Sequence, residues 1–170
     1  AIVQNRLSGT TFAGAVFTNI THDHLDYHET FDKYLYAKKH LFYLLPSNAF
    51  ALINSDDSYF EDIVFDCKAE LATYGVTSMA NFKARIVENQ LQGLHLHIDG
   101  QDLYSQLVGG FNASNLTAVY GVSKMLGFEG IETLTQMSLL TPPPGRFELV
   151  KSPDGITAIV DYAHTPDALD

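Results

Sequence analysis

Short apolar runs alternate with helix patterns along the first half of the chain, and this order constrains the fold more than any other feature. The apolar runs occupy 13–20, 49–54 and 71–74, lengths typical of buried strands. An amphipathic pattern ending at about Leu45 separates the first two runs, and a helix predicted over 58–67 separates the last two. Strands alternating with helices predict an α/β fold, with a mostly parallel sheet and crossover helices.

The pattern changes in the middle of the chain, where 82–87 and 93–98 alternate apolar and polar residues with a period of two. An Asp-Gly pair follows and is typical of a hairpin turn. These features predict a small antiparallel β subdomain with one face in water. His95 and His97 lie on the outer face. Such a pair can bind metal, but because no third ligand is close in sequence we expect an exposed polar face.

A cluster of polar residues, THDHLDYH at 21–28, follows the first apolar run directly. It holds three histidines and two aspartates within seven positions. A buried strand would deliver these groups to the edge of the sheet, where α/β proteins usually place their sites. Asp oxygen and His nitrogen suit Mg²⁺, Mn²⁺ or Zn²⁺. The alternative is a polar turn that caps the following helix.

The helix after this cluster carries a lysine in its apolar stripe. The stripe consists of Phe31, Tyr34, Leu35, Leu41, Phe42 and Leu45. The position missing from its spacing is Lys38, whereas the neighbouring basic residues lie off the stripe. A core-facing lysine must extend its amine to water, pair with an anion or change its chemistry. We therefore expect Lys38 to face the same polar pocket as 21–28.

The run FTNITHDHLDYHETFDKYLYAKKHLF resembles the Mur ligase family, in particular its members that add the third amino acid of the peptidoglycan peptide. In that family the lysine of YxxAKxxLF is carbamylated by CO₂, and the histidine of DHLDYH holds a Mg²⁺. The resemblance assigns these roles to Lys38 and His24. A carbamate converts the cation into a carboxylate that Mg²⁺ can neutralise.

Two further segments carry binding residues by the same resemblance. VQNR matches a segment that contacts the UDP-sugar-peptide substrate, which implies that role for Gln4 and Arg6. GGFNASNLTAV matches the segment that contacts adenine, which implies that role for Asn112 and Asn115. From the residues alone, Asn112 is expected to be a helix N-cap. Asn115 is expected in the first turn on the buried side, in line with the apolar stripe Ala118, Val119, Val122 and Leu126.

The last thirty residues contain the motifs GRFE and DYAHTPD, predicted at the start of a strand over 146–150 and after a strand over 156–160. The resemblance implies that Arg146 meets the ATP phosphates, that Asp161 lies near the ribose and that His164 is a hinge residue at the nucleotide. An arginine suits phosphate because its planar fork donates two parallel hydrogen bonds.

Composition narrows the class of partner. The 170 residues include 20 acidic and 10 basic side chains, a formal charge of −10, which argues against nucleic acid because phosphate neutralisation needs clustered Lys and Arg. The single Cys67 excludes an internal disulfide and fits a reducing cytoplasm. We see no signal peptide or long apolar span, so we expect a cytoplasmic protein without membrane insertion, and a monomer.

The resemblance implies most of the central ATP-binding domain of a Mur ligase over 1–160, with 161–170 as the hinge into the next domain. No GxxxxGK[ST] occurs in these residues. We therefore expect the chain to be part of a longer protein, whose phosphate loop precedes residue 1, and to be inactive alone. Expected partners of the whole ligase are ATP, Mg²⁺, UDP-MurNAc-L-Ala-D-Glu and an amino acid.

The reaction implied is ATP-driven amide formation through an acyl phosphate, adding meso-2,6-diaminopimelate. L-Lysine addition, or another ligase of Mur or folylpolyglutamate type, is the alternative, and so is a nucleotide-binding module without catalysis. A more distant alternative is a metallohydrolase. The spacing His22-x-His24-x-Asp26-x-His28 nearly spells the HxHxDH of the metallo-β-lactamase fold, but its last histidine is one position late.

Overall fold

The computed structural model describes residues 2, 6–7, 9–21 and 30–163. Within them the chain forms one six-stranded sheet, a separate two-stranded sheet and four helices. The strands are β1 Gly14–Phe17, β2 Phe50–Asn54, β3 Glu70–Gly75, β4 Phe82–Gln90, β5 Gly93–Ile98, β6 Gln101–Ser105, β7 Glu148–Lys151 and β8 Thr157–Val160. The helices are α1 Phe31–Tyr43, α2 Phe60–Val64, α3 Gly110–Met125 and α4 Gly130–Ser138.

The first three strands form the parallel sheet that the sequence predicts. β1 pairs with β2 and β2 with β3, both parallel, with Gly14 opposite Phe50 and Phe50 opposite Glu70. All five residues of β2 are buried, as expected for a central strand covered on both faces. Because right-handed crossovers between neighbouring strands keep their helices on one face, α1 and α2 share a core with β1 and β2. That core includes Phe17, Phe42, Leu45, Ile53 and Ile63.

The antiparallel segment is also confirmed, but it is joined to the parallel strands. Two residue pairs, Tyr74 with Phe82 and Gly75 with Lys83, connect β3 to β4 in parallel. β4 then runs on past the end of β3 and pairs antiparallel with β5, which pairs with β6. Asp99 and Gly100 turn between β5 and β6 with φ of 52° and 80°, the left-handed values that a tight hairpin needs.

Helix α3 lies on the face opposite α1, and its orientation corrects two predictions. Its N-cap is Gly109, not Asn112, which is already inside the helix. Of the predicted stripe only Ala118 is buried, whereas Val119 and Leu126 are about half exposed at 45% and 53%. The buried face carries Ala113, Leu116, Thr117, Ala118, Tyr120 and Gly121. The sequence analysis did not predict α4, which packs against β6 and α3.

Several strands and helices are shorter than the sequence predicts. β1 is four residues long instead of eight, although Ile20 beyond it is still buried. α2 has five residues instead of ten, because the backbone of Phe65 is extended and Asp66 is left-handed. β7 starts at Glu148, two residues later than predicted, because the preceding residues form a turn. None of the helices in the described part of the chain has the length and apolarity to cross a membrane.

Candidate functional site

The carboxyl ends of β1, β2 and β3 meet at one edge of the sheet, and Tyr74 lies at their junction. Its side chain is fully buried. Its hydroxyl donates to the carbonyl of Phe17 at the end of β1, 3.3 Å away, and is hydrogen-bonded to the side chain of Ser114 in α3. Burial raises the pKa of Tyr74 to about 12, with the charges of Asp56 and Asp57 adding to the effect and the Ser114 bond opposing it. Tyr74 therefore joins two strand ends to the start of α3.

Side chains after β2 fix the loop that leaves β1. Asn54 donates through Nδ2 to the carbonyl of Thr18, 2.7 Å away. Asp57 accepts from the backbone N–H of Ile20 at 2.9 Å through Oδ2 and from that of Tyr59 at 2.9 Å through Oδ1. This loop leads into 22–29, which lies outside the described residues. The path of the chain into the polar cluster is thus set by β2, but the predicted Mg²⁺ ligand His24 remains a prediction.

Asp56 performs a second positioning role at the same edge. Its carboxylate accepts from the backbone N–H groups of Val76 at 2.6 Å, Thr77 at 3.1 Å and Ser78 at 2.6 Å, and from the Thr77 hydroxyl at 2.6 Å. Lys83 Nζ donates to the carbonyls of Thr77 and Ser78 from the other side. These bonds fasten the loop that carries β3 into β4.

Lys38 occupies the predicted place in the core-facing stripe of α1. The stripe residues Phe42 and Leu45 are buried, and the others pack against the same core. Lys38 itself is half-buried, with Nζ 5.1 Å from the ring centroid of Tyr34. Lys39 is also half-buried, with Nζ 4.5 Å from the ring centroid of Phe65. The two adjacent lysines therefore contact different rings. The residues of the polar pocket that Lys38 is expected to face, 22–28, lie outside the described residues.

The two asparagines of α3 are linked to each other at the start of the helix. Asn112 donates through Nδ2 to the carbonyl of Val108 at 2.7 Å, and its Oδ1 accepts from Nδ2 of Asn115 at 3.2 Å. Asn115 is exposed, which corrects the prediction that it lies on the buried side. An exposed amide with one hydrogen-bonded neighbour is better suited to a ligand than a buried one, since it still presents donor and acceptor groups.

Arg146 lies in the turn before β7, and three contacts hold that turn. The N–H of Phe147 donates to Oδ2 of Asp161 at 2.6 Å. The Arg146 guanidinium lies over the ring of Tyr162, 5.1 Å from its centroid. The ring of Phe147 meets that of Phe111, in the first turn of α3, edge to face at 5.5 Å. The turn is thereby anchored beside the helix that carries the asparagines.

The structure thus brings part of the predicted site together. Asn112 and Asn115 are in direct contact, and the Phe111–Phe147 contact joins their helix to the turn of Arg146 and Asp161. Arg6 is exposed, and its predicted partner Gln4 lies outside the described residues, as does His164. Among the residues that are described, no group of three or more His, Cys, Asp or Glu is arranged to hold a metal ion.

The expected exposed face around the histidine pair of β5 is only partly confirmed, since 15% of the His95 side chain and 38% of the His97 side chain are accessible. His95 and His97 lie on the outer face, opposite the buried Leu94, Leu96 and Ile98. His95 Nε2 lies 3.0 Å and His97 Nδ1 3.1 Å from the same oxygen of Asp102 on β6. Hydrogen bonds from both histidines lower the pKa of Asp102.

Sequence reasoning missed three residues that build the site: Tyr74, Asp56 and Phe111. From sequence, Tyr74 is only the end of the apolar run 71–74, and Asp56 follows the run 49–54 without belonging to any motif. Their partners lie 57 and 20 to 22 residues away in sequence, so no local pattern points to them. Phe111 offered a weak signal, because a large aromatic at a glycine-rich helix start needs a surface to cover.

Comparison with known proteins gives a consistent result. The family model described as the Mur ligase middle domain matches residues 1–123. The UDP-N-acetylmuramoyl-L-alanyl-D-glutamate--2,6-diaminopimelate ligase of Bacteroides thetaiotaomicron is 47% identical over 99% of this chain. The chain spans about 35% of the length of that relative.

Solved structures agree with this match. The structure of a UDP-N-acetylmuramoyl-L-alanyl-D-glutamate--2,6-diaminopimelate ligase superposes with a TM-score of 0.82 at 30% identity, over 99% of this chain and 36% of the other. A MurF ligase from Thermotoga maritima, solved in complex with ADP, has a TM-score of 0.78 at 19% identity, over 94% of this chain and 38% of the other, and shows the shared fold. The matches to Mur ligases in sequence and in fold argue against the metallohydrolase alternative.

Proposed function

The chain belongs to the Mur ligase family, and we propose that it forms most of the ATP-binding middle domain of a ligase that adds meso-2,6-diaminopimelate to UDP-MurNAc-L-Ala-D-Glu. The support is the identity of 47% over nearly the whole chain to a relative named for that reaction. Because the chain spans about 35% of that relative, the activity belongs to the longer protein. The domain bounds, 1–160 with a hinge over 161–170, stay a prediction.

The observation that supports this proposal is the contact between Phe111 and Phe147, which joins the helix of Asn112 and Asn115 to the turn of Arg146. The amides of Asn112 and Asn115 would bind adenine, since a planar amide can donate and accept in one plane as the base edge does. Arg146 would bind the phosphates through its planar fork. The start of α3, which carries the asparagines, lies beside the carboxyl end of β3, where open α/β sheets bind ligands. The contact between Phe111 and Phe147 joins the turn of Arg146 to that helix. A protein with the same fold was solved in complex with ADP.

The remaining nucleotide and substrate contacts are proposed from the resemblance. The resemblance implies a place near the ribose for Asp161, and His164 would lie at the hinge beside the nucleotide. Gln4 and Arg6 would contact the UDP-sugar-peptide. L-Lysine in place of diaminopimelate is the alternative. A cytoplasmic location and a monomeric state also stay predictions.

Mg²⁺ would be held by His24 and by Lys38 in its carbamylated form. The described residues do not build a metal site by themselves, so the fit rests on the donor chemistry of 22–28 and on the environment of Lys38. That lysine is half-buried in the apolar stripe, with its amine over the ring of Tyr34. A carbamate formed with CO₂ would give it a negative group for the metal. When bound, Mg²⁺ offsets the charge that develops on the transferred phosphoryl group.

The test uses the full-length protein and measures ADP release from ATP with UDP-MurNAc-dipeptide and an amino acid. We expect release to depend on meso-diaminopimelate and not on L-lysine. Arg146→Lys should raise the KM for ATP about tenfold, because the charge remains but the two-pronged geometry is lost. The control is Arg85→Lys, an exposed residue of β4. Release without an added amino acid, or equal KM values in the two variants, would contradict the proposal.

A further inference from the structure

The resemblance places Asp161 at the ribose, but the structure gives its carboxylate another task. We propose that Asp161 is a positioning residue for Arg146, acting through the backbone of Phe147. This inference rests on the proposed function, because it takes Arg146 to be the residue that binds the nucleotide phosphates. It is carried by three observations: the register of the hairpin, the backbone conformation of Phe147 and the contacts of the two flanking rings.

The hairpin register brings Asp161 to this turn. Glu148 of β7 pairs with Val160 of β8, so the next residue outward on each strand is Phe147 and Asp161. Oδ2 of Asp161 accepts from the N–H of Phe147 at 2.6 Å, and Oδ1 accepts from the N–H of Ala163 at 2.7 Å. Both oxygens therefore bind backbone N–H groups, one on each strand extension.

The backbone of Phe147 needs such a partner. Its φ is 49°, in the left-handed region that aromatic residues rarely adopt. The preceding Gly145 has φ of 70°, and its N–H donates to Glu148 Oε2 at 2.8 Å. A short hydrogen bond to a carboxylate is among the stronger ones in proteins. Loss of the Asp161 carboxylate would leave the left-handed conformation without its main support, and a return of Phe147 to an ordinary conformation would redirect Arg146.

Rings hold the rest of the turn. The Arg146 guanidinium lies 5.1 Å from the centroid of Tyr162, the residue after Asp161, while the ring of Phe147 packs on Phe111 of α3. Phe111 in turn lies close over Gly109, where an added Cβ would come 2.5 Å from the ring. Asp161 therefore fixes the backbone of the turn, and Tyr162 fixes the side chain of Arg146. Phe111 fixes the distance of this turn from Asn112 and Asn115.

The experiment is a double-mutant cycle on the full-length protein, with the Kd for ATP as the readout. Asp161→Ala should weaken ATP binding about tenfold, but by less than about twofold in an Arg146→Ala background, because the two residues act as one unit. Asp154→Ala, which removes a carboxylate from the turn at the other end of the hairpin, should leave the Kd unchanged. The loss in Asp161→Ala should be equal for ATP and for 2′,3′-dideoxy-ATP.

Several outcomes would overturn the inference. Additive losses in Asp161→Ala and Arg146→Ala would show that the two residues act separately. If Asp161→Ala binds ATP more weakly than the wild type but binds the dideoxy nucleotide equally well, Asp161 is a ribose ligand. If Asp161→Ala has the same Kd for ATP as Asp154→Ala, Asp161 has no role in binding. If Asp161→Ala does not fold, Asp161→Asn, which keeps one oxygen acceptor, is read in the same cycle. Failure of the wild type to bind ATP, or an Arg146→Ala variant that binds normally, would instead refute the proposed function and this inference with it.

Discussion

Asp56→Ala should release the loop between β3 and β4 from the end of β2. The carboxylate accepts four hydrogen bonds, three from the N–H groups of 76–78 and one from the Thr77 hydroxyl. Bonds to a charged group contribute about 1.5–3 kcal/mol each when buried. Asp56 is exposed, so water replaces much of what is lost, and we expect the free energy of unfolding to fall by about 2 kcal/mol in all.

The same bonds make this contribution depend on pH. Burial would raise the pKa of Asp56, but the bonds from Thr77, Val76 and Ser78 outweigh it and hold the pKa well below its usual range. In the unfolded chain the pKa returns to about 4. A group whose folded pKa is depressed stabilises the fold fully above its unfolded pKa, and the stabilisation is lost as pH falls through the folded pKa. The wild type and Asp56→Ala should therefore differ fully at pH 7, and their difference should shrink progressively as the pH falls below about 4.

Amide hydrogen exchange at 76–78 measures the local stability of the loop in the wild type and in Asp56→Ala. Denaturant unfolding measures the difference in their free energies of unfolding. Thr77→Val removes one of the four bonds and should lose about 1 kcal/mol, while Thr77→Ser keeps the hydroxyl and is the control. The reasoning is refuted if Asp56→Ala exchanges at the wild-type rate at pH 7. It is also refuted if the difference in unfolding free energy stays constant down to pH 2.

Two further predictions concern the helices. Lys38→Ala should abolish ADP release by the full-length protein, with partial rescue by short carboxylic acids, whereas Lys39→Ala should keep ADP release. Equal losses in the two variants would contradict the proposed carbamate. Gly121→Ala should lower the free energy of unfolding by about 1–3 kcal/mol, because the new Cβ would lie 2.8 Å from Leu52 Cδ2 and 3.0 Å from Phe82 Cδ2. An unchanged midpoint in thermal unfolding would show that the core adjusts.

The parallel sheet could be predicted because each strand reads as an apolar run between polar turns, but the buried face of α3 could not. Apolarity favoured Val119 and Leu126, both of which are exposed. The buried face includes Thr117, whose hydroxyl donates to the carbonyl of Ala113 at 2.6 Å, and Gly121, where β2 and β4 approach closely. A satisfied hydroxyl and a missing side chain carry no hydrophobic signal, so their burial follows only from the packing of the sheet.

The candidate site divides in a similar way. The family resemblance identified candidate binding residues such as Asn112 and Arg146, because these residues belong to motifs that can be recognised in the sequence. It supplied nothing about Asp56, which belongs to none of the motifs. Its partners become neighbours only after β2 and β3 pair, and that pairing is a property of the whole sheet. The same holds for Phe111 and Phe147, which are 36 residues apart in sequence and meet edge to face.

The number of strands in the antiparallel segment decides where the asparagine pair lies. β4 is parallel to β3, β5 reverses the direction and β6 restores it. The chain therefore leaves β6 toward the same edge at which β1, β2 and β3 end, and α3 begins five residues later at Gly110. The bond between Tyr74 at the end of β3 and Ser114 in α3 confirms that placement. With one strand fewer, α3 would start at the opposite edge and Asn112 and Asn115 would lie a sheet's length from the turn that carries Arg146.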